Sequence, residues 1–400
     1  MTGPIALAAA LDGAGWHPAA WRAASARPAD LFTAGYWTDL VNTAERGVLD
    51  LVTIEDALAM QSTRRSGPDD RTDQVRGRLD AVLIASRVAP VTSHVGLVPT
   101  TVVTHTEPFH LASAISTLDH VSGGRAGWRP RISSQPAEAS HVGVRPVTTL
   151  DRTTPDAVRQ AVREDLFSEA VDFVEVVRRL WDSWEDDAII RDVDTGRFVD
   201  RAKLHYVDFE GSHFSVKGPS IVPRPPQGQP VVAALAHAEL PYRFAARTSD
   251  VVFVTPADVD AAAGLVGAVR AAEEVVGRTG PPLVVMADLV VFLGPTRAHA
   301  ERAKSALDDL AGAAFTSDAA VFTGTPADLA DQLVAWRATG LQGFRLRPGV
   351  VTDDLPAIVD GLVPELRARG LVRRSYETGS LRRRLGLDRP ENRFAARADR

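Results

Sequence analysis

Short apolar runs alternate with amphipathic stretches along most of this chain. Runs at 5–10, 51–54, 95–98, 126–132, 231–234, 251–254, 283–290 and 343–346 predict strands. Apolar residues return at helical spacing over 36–46, 79–87, 238–248, 257–276, 297–311, 326–339 and 354–369. A longer helix is marked by Leu166, Ala170, Phe173, Val177, Leu180 and Trp184 on one face. Strand–helix alternation of this kind predicts a parallel sheet covered by helices. Roughly eight such units favour a TIM (β/α)8 barrel with insertions over an open sheet. Periodicity alone does not close the barrel.

The pattern lapses at 60–78, 133–165 and 185–229, read here as excursions from a single domain spanning 1–400. The first, rich in Arg, Asp, Gly and Ser, is longer than an ordinary strand–helix connection, so a lid and a plain surface excursion both fit. Gly123 and Gly124 fit a helix C-cap that reverses the chain into the next strand. The tail 367–400 holds eleven arginines against four acidic residues and reads as a solvated or subunit-contacting segment.

Composition narrows the function classes. A net charge of −6 gives no electrostatic reason to expect nucleic acid or an anionic membrane. Without cysteine there is no disulfide framework, thiolate nucleophile or cysteine metal site. The run 5–11 lacks a basic flank and is broken by Asp12, and no stretch approaches the ~18 apolar residues of a membrane helix. A cytoplasmic protein is the expectation. Phosphate-loop, nucleophile-elbow and zinc-helix motifs are absent, and no metal ligand set is expected. The glycines at 123, 124 and 127 follow a helix and precede a strand, the wrong order for a dinucleotide loop.

Candidate chemistry gathers where predicted strands end, as ligands do in parallel α/β proteins. Beyond the third strand, His105 can donate a proton near neutrality and Glu107 can orient it. The structural alternative has Thr106 capping the following helix, with Glu107 and Pro108 in its first turn. Trp16 and His17 share the first strand's exit, where a ring can stack on a planar ligand or simply pack in the core. Asp56 closes the second strand, as a ligand acceptor or a helix cap.

Seven segments carry a resemblance: GWHPAAWR (15–22), LVTIEDALAM (51–60), TEPFHLASAISTLDHVSGGRAGW (106–128), DFVEVVRRLWDSWEDDA (172–188), VKGPSIVPRPPQGQPV (216–231), GTPADLADQL (324–333) and YETGSLRRRLGL (376–387). In these segments, which span nearly its whole length, the chain resembles the bacterial-luciferase-like flavin monooxygenases, the group of nitrilotriacetate monooxygenase component A and dibenzothiophene-sulfone monooxygenase. The resemblance implies a TIM barrel that assembles as a homodimer or higher homo-oligomer. It also implies reduced FMN (FMNH2) delivered by a separate flavin reductase, and a flavin hydroperoxide, formed with O2, that attacks a small organic substrate. Such chemistry belongs to the cofactor, while the protein binds, orients and excludes water.

Carried over residue by residue, the resemblance places Asp56, Thr100, Thr104, Trp128 and Arg129 beside the flavin, Arg129 standing where relatives commonly have asparagine. Relatives hold the flavin phosphate with a tyrosine, here Phe167, and a Gly-Ala-Ser turn, here Ala236–Ala238. His237 and Arg243 can compensate with positive charge. These departures keep two alternatives open: a non-catalytic luciferase-like subunit that needs a paralogous partner, and a deazaflavin-dependent oxidoreductase.

Overall fold

The computed structural model describes residues 3–62, 64, 69–104, 106–142, 148, 150 and 153–395. Strands β1 (Ala6–Leu11), β2 (Leu51–Ile54), β3 (Gly96–Val102), β4 (Gly127–Arg131), β5 (Val231–Leu235), β6 (Val251–Val254) and β7 (Val284–Leu293) pair in parallel in that order. After an extra strand β8 (Ala320–Gly324), strand β9 (Gly343–Pro348) pairs with both β7 and β1 and closes an eight-stranded barrel. The ten residues of β7 are shared on one side: its first half pairs with β6 and its second half with β8.

Helices α1 (Ala34–Arg46), α2 (Ala81–Val88), α3 (Pro108–Ser122), α4 (Pro136–Val142), α5 (Asp156–Asp182), α6 (Glu239–Thr248), α7 (Val259–Val275), α8 (Arg297–Ala311) and α9 (Pro326–Arg337) lie between the strands. Among the described residues no helix is long and apolar enough to cross a membrane.

The strands are buried on both faces, which is why they read as apolar runs rather than alternating ones. Outward-facing Trp128 donates to Thr101 Oγ1 at 2.7 Å and meets Trp181 of α5 edge-on, with Phe173 tilted beside it. Gly123 takes the left-handed C-cap conformation (φ 65°) expected at the end of α3.

The barrel's lower interior is apolar and plugged from below by the tail. Leu381, Leu385 and Leu387 pack against Ala6, Leu51, Val98, Val231, Val251 and Val284. Arg382 reaches Asp250 at 3.2 Å, and Arg373 pairs with Asp50. The expectation of a solvated tail is thereby corrected for this stretch. Arg373 and Arg382 thus answer two acidic residues that open strands, and the segment is held in the fold by those pairs.

Other differences have equally local causes. β3 runs to Val102, so Thr100 belongs to the strand and the exit begins at Val103. The expected long helix stops at Asp182, and Trp184 instead donates to the Ser220 carbonyl at 2.8 Å. The excursion 185–229 carries two short hairpins, Ile189–Asp192 with Arg197–Val199 and Phe209–Glu210 with Ser215–Val216. In the excursion 60–78, the Gln61 side chain donates to the Gly77 carbonyl at 3.1 Å, and Trp21 reaches the Asp73 carbonyl at 3.0 Å. Residues 63 and 65–68 lie outside the described set.

Candidate active site

Above the apolar layer the barrel interior becomes ionic. Alternate residues of a strand face the same side, so Thr53 and Glu55, Arg129 and Arg131, and Arg345 and Arg347 all project inward from their strands. Arg129 Nη2 donates to Glu55 Oε2, and Arg129 Nε to Thr100 Oγ1 at 3.0 Å. Arg345 Nη1 bonds both Glu55 Oε1 and Thr53 Oγ1 at 3.1 Å. Asp288 accepts from Arg345 Nε at 2.8 Å and from Arg347 Nε at 2.9 Å, and Arg347 continues to Asp318 at 2.6 Å. Arg345 lies 4.3 Å from the Phe253 ring centre and Arg347 4.5 Å from that of Trp16.

Burial works against charge throughout this lattice, and proximity restores it. Burial pushes the Glu55 carboxyl up, but Arg129 and Arg345 outweigh it and the net shift is downward. The same balance, with Arg345 and Arg347, holds Asp288 low. Arg129 is pulled down to about 10 by desolvation, opposed by Glu55. The lattice is therefore a set of mutually dependent ions.

A cavity of about 900 Å³ opens over this lattice at the carboxyl ends of β4 and β5. That size falls within the range of cofactor sites, about 300–1,000 Å³. Glu55, Arg129 and Arg131 line it at the barrel end, Ile132, Phe167 and Leu235 give it apolar wall, and Arg163, Arg243 (paired with Glu239) and the His237 imidazole stand at the other side. It also abuts the start of α6, whose N-cap Ala238 makes no side-chain cap, so the first N–H groups of that helix are not satisfied by a cap. Pro241 withholds one N–H from that turn. Phe167, in place of a tyrosine, meets Phe244 edge-on at 5.7 Å.

Of the residues expected at the site, Arg129 and His237 line the cavity, and Thr100 lies directly behind Arg129. Thr104 ties the exits of β3 and β4 by accepting from the Ser133 N–H at 2.9 Å. Asp56 points the other way, accepting from Ala81 N–H at 2.9 Å at the start of α2. Burial pushes its carboxyl up, against these backbone bonds. Trp128 faces the helices rather than the cavity.

His17 is 2% exposed, with Nε2 3.1 Å from Asp308 and its ring against Phe315. Burial lowers its pKa, opposed by Asp308. It is not among the residues lining the cavity. Glu107 is the N-cap of α3, exposed and without a side-chain cap bond, while Thr106 donates to the Val102 carbonyl at 2.7 Å. His105 lies outside the described residues.

Sequence reasoning passed over Glu55 in favour of its neighbour Asp56 and did not register Asp288, Arg345, Arg347, Arg131 or Arg163. A signal for some of them exists: Asp288 inside VVMADLVVFL and two arginines inside GFRLRP are charges within apolar strands. Such charges are rarely buried unless paired.

A family model described as luciferase-like monooxygenase matches residues 14–310. N-acetyl-S-(2-succino)cysteine monooxygenase of Bacillus subtilis (strain 168) is 30% identical, covering 98% of each chain. Nitrilotriacetate monooxygenase component A of Aminobacter aminovorans is 28% identical over 95% of this chain and 96% of its own. The crystal structure of a long-chain alkane monooxygenase superposes with a TM-score of 0.86 at 25% identity, covering 99% of this chain and 100% of its own. A riboflavin lyase solved with a modified FMN and riboflavin gives a TM-score of 0.83 at 24% identity, covering 98% of both chains. With a shared barrel and similarity running the length of the sequence, the chain belongs to the luciferase-like monooxygenase family and is a flavin-dependent monooxygenase.

Proposed function

We propose that the protein binds reduced FMN in the cavity over β4 and β5 and transfers one oxygen atom of O2 to a small organic substrate. The observation that carries this reading is the junction of two arginines, an imidazole and an uncapped helix start at one side of the cavity. Arg163, His237 and Arg243 meet the uncapped start of α6 there, which suits a phosphate in spite of the altered turn. Phe167, Ile132 and Leu235 would take the flat faces of the ring system. Reduced FMN, when bound, supplies the electrons that activate O2, the second oxygen atom leaving as water. The chain's own part is to bind, to orient and to exclude water.

The flavin would come from a separate reductase, as the designation "component A" of the nitrilotriacetate relative suggests. Assembly as a homodimer or higher homo-oligomer belongs to the same reading. His105, at the exit of β3, is proposed as the proton donor on its sequence position alone.

Anaerobic titration with FMNH2, alongside FMN, riboflavin and a deazaflavin, tests the reading. Binding of FMNH2 and oxygen consumption on adding substrate are expected. No binding at tens of micromolar overturns it. Preference for deazaflavin without oxygen uptake would replace it with hydride transfer, and rescue only by a paralogous subunit would replace it with a partner role.

A further inference from the structure

We propose that the substrate is an organic carboxylate whose anionic end is held by Arg129 at the cavity floor, with Arg131 directly above. This rests on reading the cavity as the reaction site. Three buried guanidiniums, Arg129 (5% exposed), Arg345 (0%) and Arg347 (1%), share two carboxylates inside the barrel, Glu55 and Asp288. The third carboxylate, Asp318, has a side chain 50% exposed and serves only Arg347 at the far end. The signs alternate from Arg129 through Glu55, Arg345, Asp288 and Arg347 to Asp318, so the lattice balances overall and presents the guanidinium of Arg129 at its cavity end. Asp12, the other carboxyl near Glu55 and Arg129, also faces Arg78, and burial pushes it toward the neutral form.

The unused donors point to the same place. Arg129 spends Nε on Thr100 and Nη2 on Glu55, and Nη1 has no acceptor among the described residues although Arg129 lines the cavity. That donor opens onto the cavity, and a guanidinium edge matches a carboxylate. Arg131 stands two residues further along the same face, roughly 6.6 Å higher at strand rise. It uses Nη1 on Glu138 at 2.8 Å. The carboxylates that line the cavity are already engaged: Glu55 by two arginines, Glu239 by Arg243 at 2.5 Å, and Glu164 by Gln160 at 2.7 Å. At the barrel end a ligand meets the guanidiniums of Arg129 and Arg131, which also pair with Glu55 and Glu138 respectively. Among the other cations lining the cavity, Arg163 is left for the phosphate, with Arg243 shared between the phosphate and Glu239.

Calorimetric titration of the full chain with succinate and with neutral succinamide, each with and without FMN, is decisive. Succinate is expected to bind and succinamide not. Arg131→Gln should weaken succinate about tenfold, the cost of a charge-assisted hydrogen bond. The double variant Glu55→Gln/Arg129→Gln, which removes a balanced pair, should abolish binding, and if it does not fold the rim variant Arg131→Gln decides. Failure of succinate to bind in the millimolar range while FMN binds overturns the proposal. So does a loss confined to Arg243→Gln, which would put the anion at the phosphate end, or an effect of Arg131→Gln on FMN alone. If FMN fails to bind but succinate behaves as expected, the carboxylate site stands and the flavin reading falls.

Discussion

Glu55 and Arg129 belong to strands that do not touch: β3 lies between β2 and β4, and their ion pair passes over it, with Thr100 of β3 accepting the guanidinium Nε. The pair thus staples three strands at the mouth of the barrel and forms part of the cavity surface.

Removing one partner of such a pair leaves the other buried without compensation. Glu55→Gln should lower unfolding free energy by about 3 kcal/mol, because Arg129 and Arg345 both lose their counter-charge. Urea denaturation measures this. A loss below about 0.5 kcal/mol would mean the lattice relaxes without it.

The tail plug makes a separate prediction. Leu381 is fully buried among the first inward residues of the strands. Leu381→Ala should cost about 2–5 kcal/mol. Flavin affinity should be unchanged, since the plug closes the opposite end of the barrel from the cavity. A variant as stable as the wild type would return the tail to the status of a surface strap.

At the phosphate end, Arg163→Gln and Arg243→Gln should each weaken FMN about tenfold. Riboflavin, which lacks the phosphate, should bind equally to both variants and to the wild type. Equal losses for FMN and riboflavin would place these arginines elsewhere on the ligand.

Asp354 gives a pH signature. Burial pushes its carboxyl up to about 7 from 3.8, opposed by the N–H groups of Val350 and Leu293. A folded-state pKa above the unfolded one means the folded protein holds the proton more tightly. This contribution to stability is complete below pH 3.8 and is lost as pH rises to about 7. The difference in unfolding free energy between wild type and Asp354→Asn should therefore shift across that window in favour of the variant. A difference that does not vary with pH would show that Asp354 titrates normally.

His105→Ala should lower turnover while leaving flavin affinity nearly unchanged, in line with a proton donor to the reaction. Steady-state kinetics beside a flavin titration separates the two, and a wild-type rate in the variant removes the role.

How much of this was legible beforehand depends on the range of the interaction. Every strand of the closed barrel could be read as a short apolar run, because both its faces are buried, and helices such as α8 (Arg297–Ala311) from periodicity, because burial of one face imprints its period on neighbouring residues. β8 was missed: its residues are mostly half-buried and its apolar run, 319–322, is short. Among the residues lining the cavity, Arg129 and His237 were named through the family resemblance, whereas Glu55 was passed over for Asp56. A shift of one residue along a strand swaps inside for outside, and a short apolar run does not say which residue of a charged pair points inward.

The sequence by itself determined the alternation of strands and helices, the apolar layers and the family, because these follow from local spacing and from motifs along the chain. Only the tertiary structure decided that Glu55, Arg129, Asp288, Arg345 and Arg347 form one lattice, that Thr100 stands behind it, and that tail leucines close the barrel below. Those partners come from strands separated by up to 290 residues, as in Arg345–Glu55. Charge attraction acts through space, and nothing in the local pattern records which distant ion will be brought within reach.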